Sequence, residues 1–202
     1  MPLWRAAEPL VLAYRSEVRK SLLEAAGIAV EVRPADVDER RLEASAPAGD
    51  AAGIAALLAC AKAHAVAQML SGRLVLGADQ TLALGAQLFS KPADKAAARA
   101  QLGVLSGRTH ELHSAVAFVR NGETLFEHVG VARLTMRPVS EDFLDAYLDA
   151  AGEAATASVG GYQVEGLGIH LFERIEGDHF TVLGLPMLPV LDFLRRYGYL
   201  AQ

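Results

Sequence analysis

The first half of the chain alternates short apolar runs with amphipathic segments, a pattern typical of alternating strands and helices. Strands are predicted at residues 9–13, 28–34 and 73–78. Helices are predicted from an N-cap at Ser16 to Gly27, and again at about 50–70, where apolar residues recur at helical spacing. Residues 34–50 are polar, charged and interrupted by prolines, which predicts a loop.

The second half of the chain predicts a small hairpin at 81–89, a helix at 93–105 and two long strands. The long strands, 110–120 and 123–137, are joined by Asn-Gly, the strongest short-range signal for a hairpin. A helix capped by Ser140, a strand at 171–175, and a final helix at 187–198 complete the pattern. The sequence therefore predicts a single α/β domain over residues 1–202, with a mixed twisted sheet bent into two lobes around a central cleft.

Composition narrows the classes of partner that this chain can have. Its 19 basic and 24 acidic residues give a formal charge of −5, which argues against binding long nucleic acid, but leaves room for a small anion. A single cysteine, Cys60, cannot form an internal disulfide, which fits a reducing cytoplasm. Neither a signal peptide nor a membrane span is predicted, so we expect a cytoplasmic protein without membrane contacts.

Common phosphate-binding and metal-binding motifs are absent from the sequence. Neither the GxxxxGK[ST] nor the GxGxxG motif occurs, and the six histidines do not have the spacing of a zinc site. For each histidine, a structural or solvated role is expected. The candidate chemistry therefore rests on charged residues at the ends of predicted elements.

Asp79 directly follows the apolar strand 73–78, at the end of the sheet where α/β proteins gather ligand groups. A carboxylate there could bind Mg²⁺ or accept a proton from water, and it could equally cap a turn. Ser16 and Arg19 begin the first helix, where free N–H groups and the helix dipole favour an anion.

Other basic residues could join Asp79 at a single cleft. Lys62 interrupts an alanine-rich helix face, and Lys91 stands just before another helix. Either could be a solvated surface lysine, but with Arg15, Arg19 and Lys20 they could converge on a polyphosphate and its metal.

The segment 158–168 contains four glycines around Glu165 and permits close approach to a ligand, although its composition alone favours a flexible loop. The aromatic residues are expected to pack in the core rather than to stack on a base. This expectation covers Tyr14, Phe89, Tyr162 and Phe172.

Five segments follow one another between about residues 10 and 186. They are LVLAYRSEVRKSLLEAAG, DVDER, LACAKAHAVA, GADQTLALGAQLFSKPADKAAARAQLGVLSGRTHELHSAV and SVGGYQVEGLGIHLFERIEGDHFTVLGLP. In this order and spacing they resemble the Maf family of nucleoside triphosphate pyrophosphatases. The resemblance implies a Maf/inosine-triphosphatase-like architecture, and hydrolysis of a nucleoside triphosphate to its monophosphate and pyrophosphate with a divalent metal cation, Mg²⁺ or Mn²⁺. It also suggests a homodimer.

The resemblance implies roles for individual residues. Asp79 would accept a proton from the attacking water, and Asp79 and Glu39 would lie near the metal. Four residues match the phosphate-binding positions of the family: Ser16, Arg19, Lys62 and Lys91. Cations there would stabilise the leaving pyrophosphate as its negative charge grows.

The resemblance also concerns the base. Gln80 and Glu165 match the branch of the family that acts on 7-methyl-GTP, and a carboxylate can accept hydrogen bonds from guanine. Val18 stands where that branch has Trp, and the commoner signature S-x-S-P-R-R is altered to Tyr14-Arg-Ser-Glu-Val-Arg19. The expected role is removal of non-standard or modified nucleotides. Two alternatives remain open: a nucleotide-binding regulator of cell division with little catalysis, and a general phosphatase.

Overall fold

The computed structural model describes residues 3–47 and 49–202. Met1 and Pro2, in the predicted N-terminal segment, and Ala48, in the predicted loop, lie outside the described residues. The strands are Leu10–Leu12 (β1), Val30–Val32 (β2), Val75–Leu84 (β3), Gln87–Phe89 (β4), Thr109–Arg120 (β5), Glu123–Met136 (β6) and Phe172–Glu176 (β7). The helices are Glu17–Ala25 (α1), Glu39–Ser45 (α2), Ala51–Ala67 (α3), Lys95–Leu105 (α4), Glu141–Ala151 (α5), Ala154–Ala157 (α6), His179–Val182 (α7) and Met187–Arg196 (α8).

In the part of the chain that the structure describes, seven strands form one mixed sheet. Six follow the order β2-β1-β3-β5-β6-β7, and β4 pairs with β3 outside this order. The β1 strand pairs in parallel with β2 and β3, whereas all other pairs are antiparallel. The predicted mixed α/β fold is therefore confirmed. The Asn121-Gly122 hairpin between β5 and β6 is confirmed as well, with positive φ angles at both turn residues.

Apolar side chains pack against both faces of the sheet, near both ends of the long strands. At one end, α3 covers one face and α1 and α8 cover the other, and at the opposite end α4 and α5 pack on the sheet. Residues from both ends, among them Arg19 and Tyr162, line one cavity, which corresponds to the predicted central cleft. No helix within residues 3–47 and 49–202 is both long and apolar enough to span a membrane.

Two predictions about local structure are wrong. Residues 39–45 of the predicted loop form α2, which begins after Asp38, whose side chain accepts a hydrogen bond from the Arg41 N–H. The helix buries none of its residues, so no apolar periodicity marked it in the sequence. Asp79 does not end a strand, because β3 continues through it to Leu84.

The close approach of α3 to β3 depends on Gly77. A Cβ atom at this position would lie 2.0 Å from the carbonyl oxygen of Ala59 and 2.8 Å from the amide nitrogen of Ala63. Only a glycine facing the alanines of α3 leaves room for the helix backbone at this distance. The crossing places Lys62, on α3, beside Asp79, which is two residues beyond Gly77 and therefore on the same face of β3.

We predict that Gly77→Ala lowers the free energy of unfolding by about 3 kcal/mol or more, because the added methyl group overlaps the α3 backbone. Gly103→Ala is the matched control, since its Cβ would meet nothing within 4 Å and it lies inside α4. There the change should raise stability by about 0.5–1 kcal/mol. Urea unfolding followed by circular dichroism measures both values. Equal effects of the two substitutions would contradict the proposed close packing.

Candidate active site

A gap in the edge of the sheet lies at the centre of the candidate site. The β1 strand pairs with β3 only as far as Leu76, and β4 pairs with β3 only from Leu82 onward. One edge of β3 is paired with β5. The other edge is shared by β1 and β4, and the stretch of β3 between them has no partner strand. We call this stretch, residues 77–81, the sheet gap.

The carbonyl group of Ala78 in the sheet gap accepts a hydrogen bond from Arg19 instead of from a strand. Arg19 Nη1 lies 3.3 Å from Ala78 O, and Arg19 Nε donates to Gly184 O at 2.8 Å. The side chain is buried, yet it forms no salt bridge with a carboxylate in the described part of the chain. Its positive charge is therefore available to an anion.

The predicted N-cap at Ser16 is confirmed. Its hydroxyl accepts a hydrogen bond from the backbone N–H of Arg19 at 3.3 Å, and α1 starts at Glu17. The start of α1 thus faces the cleft beside the guanidinium of Arg19, which reinforces the positive field of the helix N-terminus.

Lys62 is almost completely buried between two carboxylates. Its Nζ lies 2.5 Å from Asp79 Oδ1 and 2.8 Å from Glu39 Oε1, and only 2% of its side chain is exposed. A buried ammonium group is tolerated only when it is paired and hydrogen-bonded, and here it joins α3, β3 and α2. The three residues that the sequence singled out separately are therefore one hydrogen-bonded group.

Burial sets the protonation of this group. Burial raises the pKa of the Asp79 carboxyl above its ordinary value, and this effect exceeds the opposing attraction of Lys62 and Arg19. For Lys62, burial favours the neutral amine, but the combined attraction of Asp79 and Glu39 outweighs it and raises the pKa of the ammonium. Asp79 is thus a stronger proton acceptor than an exposed aspartate, and Lys62 stays charged at neutral pH.

Two cavities meet at the sheet gap within the described residues. The first, of about 330 Å³, extends to the glycine-rich segment 158–168 and is called the glycine-loop cavity. The second, of about 580 Å³, extends to α2 and is called the α2 cavity. Both are lined by Tyr14, Asp79, Gln80, Lys91 and Val159.

The cavities gather the predicted site residues. Ser16, Val18, Arg19 and Glu165 line the glycine-loop cavity, and Glu39 lines the α2 cavity. Of the five basic residues expected to converge, Arg15, Arg19 and Lys91 line the glycine-loop cavity. Lys62 lines neither cavity but bonds to Asp79 and Glu39, which do. Lys20 also lines neither cavity, and its Nζ lies 3.9 Å from Glu24 Oε1 on α1. The expectation for Lys20 is therefore wrong, because its position on α1 directs it to the neighbouring turn.

Gln80 is held in one orientation on the face of the sheet opposite Asp79. Its Nε2 lies 2.8 Å from Ser114 Oγ, 3.2 Å from Thr181 O and 3.1 Å from Val182 O. Because backbone carbonyls can only accept, the amide nitrogen must face them, and the amide oxygen is left for the cavity. Gln80 therefore presents a hydrogen-bond acceptor to whatever enters the cleft.

The glycine-rich segment is fixed by buried polar contacts. Tyr162 Oη lies 2.6 Å from His110 Nε2, and Tyr147 Oη donates to Gly161 O at 3.1 Å. Burial lowers the pKa of His110 to about 4, so the imidazole is neutral. Side-chain contacts therefore hold this part of the segment in place, and Glu165 lines the cavity.

Three residues of the site were missed or misjudged from the sequence. Tyr14 was expected to pack in the core and instead lines both cavities. Glu43 lines the α2 cavity, where burial, together with Glu39 and Asp79, raises the pKa of its carboxyl. Its spacing from Glu39 would have marked a shared helix face once α2 was recognised. Ser114 stands opposite Gln80 in the β3–β5 register, which the sequence does not fix.

Asp79 and Glu39 are the residues that could hold a divalent cation. No group of three or more histidine, cysteine, aspartate or glutamate residues converges on one ion position in the described part of the chain. Mg²⁺ is usually held by one or two carboxylates together with substrate phosphates, so two carboxylates fit a cation that arrives with a phosphate ligand.

Comparisons with known proteins show the family to which this chain belongs. A family model described as Maf-like protein matches residues 9–197. A nucleoside triphosphate pyrophosphatase of Rhodopseudomonas palustris (strain BisB18) is 59% identical over 201 residues, which cover 100% of each chain. A 7-methyl-GTP pyrophosphatase of Rhizobium etli is 51% identical over 191 residues, or 94% of this chain and 96% of the relative. Because the match extends over nearly the whole length, this chain belongs to the Maf family.

Proposed function

We propose that this protein is a nucleoside triphosphate pyrophosphatase, which hydrolyses the bond between the α- and β-phosphates to give a nucleoside monophosphate and pyrophosphate. The observation that carries the proposal is the buried group of Lys62 between Asp79 and Glu39, in a cleft that also holds Arg19. It combines a proton acceptor with cations for a polyphosphate. The names of relatives at 51–59% identity support the same reaction, and favour hydrolysis over a purely regulatory role.

In this reaction Asp79 accepts a proton from the water whose oxygen attacks the α-phosphorus. The bond from that phosphorus to the bridging oxygen breaks, and the bridging oxygen leaves with pyrophosphate. Lys62 fixes the orientation of the Asp79 carboxylate through its 2.5 Å contact. Arg19 and Lys91 oppose the charge that grows on the leaving group.

A divalent cation would be held by Asp79 and Glu39 and would supply further charge neutralisation at the phosphates. The same two carboxylates pair with Lys62 at 2.5 and 2.8 Å, so they would have to serve both the cation and the ammonium group. Lys62 therefore keeps the carboxylates close together without neutralising both of them.

The wall of the glycine-loop cavity supports a guanine-type base. Gln80 presents its amide oxygen and Glu165 its carboxylate, and both can accept from the N–H groups of guanine. Val18 adds an aliphatic surface and no aromatic ring, so a methylated, cationic base gains no cation–π contact there. One relative is named a 7-methyl-GTP pyrophosphatase, which supports a guanine-type substrate class.

We propose that this activity removes non-standard or modified nucleotides before they are incorporated into nucleic acid. The single cysteine of the chain suits the reducing cytoplasm, which is the proposed location. A homodimer is proposed from the family resemblance.

We also predict the products of the reaction. With Mg²⁺ or Mn²⁺ and a panel of GTP, 7-methyl-GTP, UTP and dTTP, we expect pyrophosphate and a monophosphate as first products, because the cations of the cleft stabilise a pyrophosphate leaving group. Ion-exchange chromatography of quenched reactions measures them. Free phosphate as the first product would indicate a general phosphatase, and binding without any product would indicate a regulator.

We predict that Asp79→Asn lowers kcat by about 10²–10⁴-fold, since the amide cannot accept the proton from water. Binding of a nucleotide with a methylene group between the α- and β-phosphates should persist, as measured by calorimetry. Asp192→Asn on α8 is the matched control, because this exposed residue lines neither cavity. Unchanged pyrophosphate release by Asp79→Asn would remove Asp79 from the mechanism.

We predict that Glu165→Gln lowers the preference in kcat/KM for guanine nucleotides over pyrimidine nucleotides by about 10-fold or more, since a charged acceptor for guanine is lost. Competition between GTP and UTP in one reaction measures the ratio. Glu173→Gln, an exposed change on β7, should leave the ratio as it is. An unaltered preference order in Glu165→Gln would show that Glu165 does not contact the base.

A further inference from the structure

The ring of Tyr14 contacts two cations, Arg19 and Lys62. The guanidinium carbon of Arg19 lies over its ring at 4.5 Å from the ring centroid, and Lys62 Nζ lies over the same ring at 4.6 Å. Both distances are well within the 6 Å range of a cation–π contact. The two cationic groups are therefore at most about 9 Å apart, the sum of these distances.

Two cations this close repel each other, and the structure compensates Lys62 and Arg19 differently. Lys62 has two carboxylate partners, whereas Arg19 has two backbone carbonyls and no carboxylate in residues 3–47 and 49–202. The negative face of the Tyr14 ring attracts both groups. The phenol hydroxyl makes no hydrogen bond within the same described residues, so only the ring contributes.

A ring and a carboxylate would have different consequences for anion binding. A carboxylate between the cations would occupy their N–H donors and repel a phosphate, whereas a π face does neither. Arg19 uses two of its five N–H donors on carbonyls, and Lys62 uses two of its three on Asp79 and Glu39. Three donors of Arg19, which lines the glycine-loop cavity, remain for a ligand, whereas Lys62 is 2% exposed and lines neither cavity.

We propose that Tyr14 is a positioning residue, whose ring holds the Arg19 guanidinium beside the buried Lys62 ammonium group, in the place where Arg19 receives a pyrophosphate or triphosphate group. This deepens the proposed function and rests on it for the identity of the anion. Tyr14 lines both cavities beside Asp79, and Arg19, which its ring contacts, lines the glycine-loop cavity. The role of Tyr14 is electrostatic, because its ring contacts cations. A base-stacking residue would instead present its ring to the base of the nucleotide.

The test compares Tyr14→Phe with Tyr14→Leu by calorimetric titration with inorganic pyrophosphate in the presence of Mg²⁺. Phe keeps the ring and should bind within about twofold of the unaltered protein, whereas Leu keeps an apolar side chain without a π face. We expect Tyr14→Leu to weaken pyrophosphate binding by about 2- to 30-fold. Equal binding by both variants, or equal weakening in both, would overturn the inference.

A second set of variants, of nearly constant shape at position 14, tests the inference if Tyr14→Leu fails to fold. Phenylalanine with one, two or three ring fluorines, introduced at position 14 by nonsense suppression, weakens the negative ring face stepwise. Pyrophosphate affinity should fall with each fluorine, and binding that ignores fluorination would contradict an electrostatic role. If Tyr14 instead stacked on the base, Tyr14→Leu would raise KM for the nucleotide and leave pyrophosphate binding intact.

The same titrations separate this inference from the proposed function. A protein that binds pyrophosphate with the expected dependence on position 14, but hydrolyses no nucleotide, would contradict the proposed function alone. Failure of the unaltered protein to bind pyrophosphate or tripolyphosphate would overturn the inference about Tyr14, whatever the outcome of the hydrolysis assay.

Discussion

The burial of Lys62 between Asp79 and Glu39 is the interaction on which the cleft depends. It is possible only because α3 crosses β3 at Gly77, where a larger residue would overlap the helix backbone. A buried ammonium group without partners would be strongly destabilising, so the carboxylates of β3 and α2 must stay within its reach. One close helix–strand contact therefore fixes three elements and the charges that they carry.

The sheet gap gives this buried group access to a ligand. Asp79 and Gln80 are neighbours in one strand, so their side chains point to opposite faces of the sheet. In a fully paired sheet these two faces would be separate, but here both residues line the same cavities because β1 and β4 leave the edge open. A chain with a net charge of −5 can thus collect Arg15, Arg19 and Lys91 at one small cleft.

The sequence predicted the elements with strong local signals. The hairpin at Asn121-Gly122, the cap at Ser16 and the alanine-rich α3 depend on neighbouring residues, and all three are present. The helix α2 was missed, because a helix that buries no residue has no apolar stripe. The predicted strand ended before Asp79, because a polar residue in the middle of a strand resembles the start of a turn.

The sequence by itself determined the chemical groups of the site: their order along the chain and their resemblance to one family identified Asp79, Lys62, Arg19 and Glu39. Only the tertiary structure decided how these groups meet. It placed the ring of Tyr14 against two cations and held the Gln80 amide nitrogen on backbone carbonyls. The physical reason is that such contacts join segments far apart in the chain, so they depend on strand register and helix packing, which no local pattern of residues specifies.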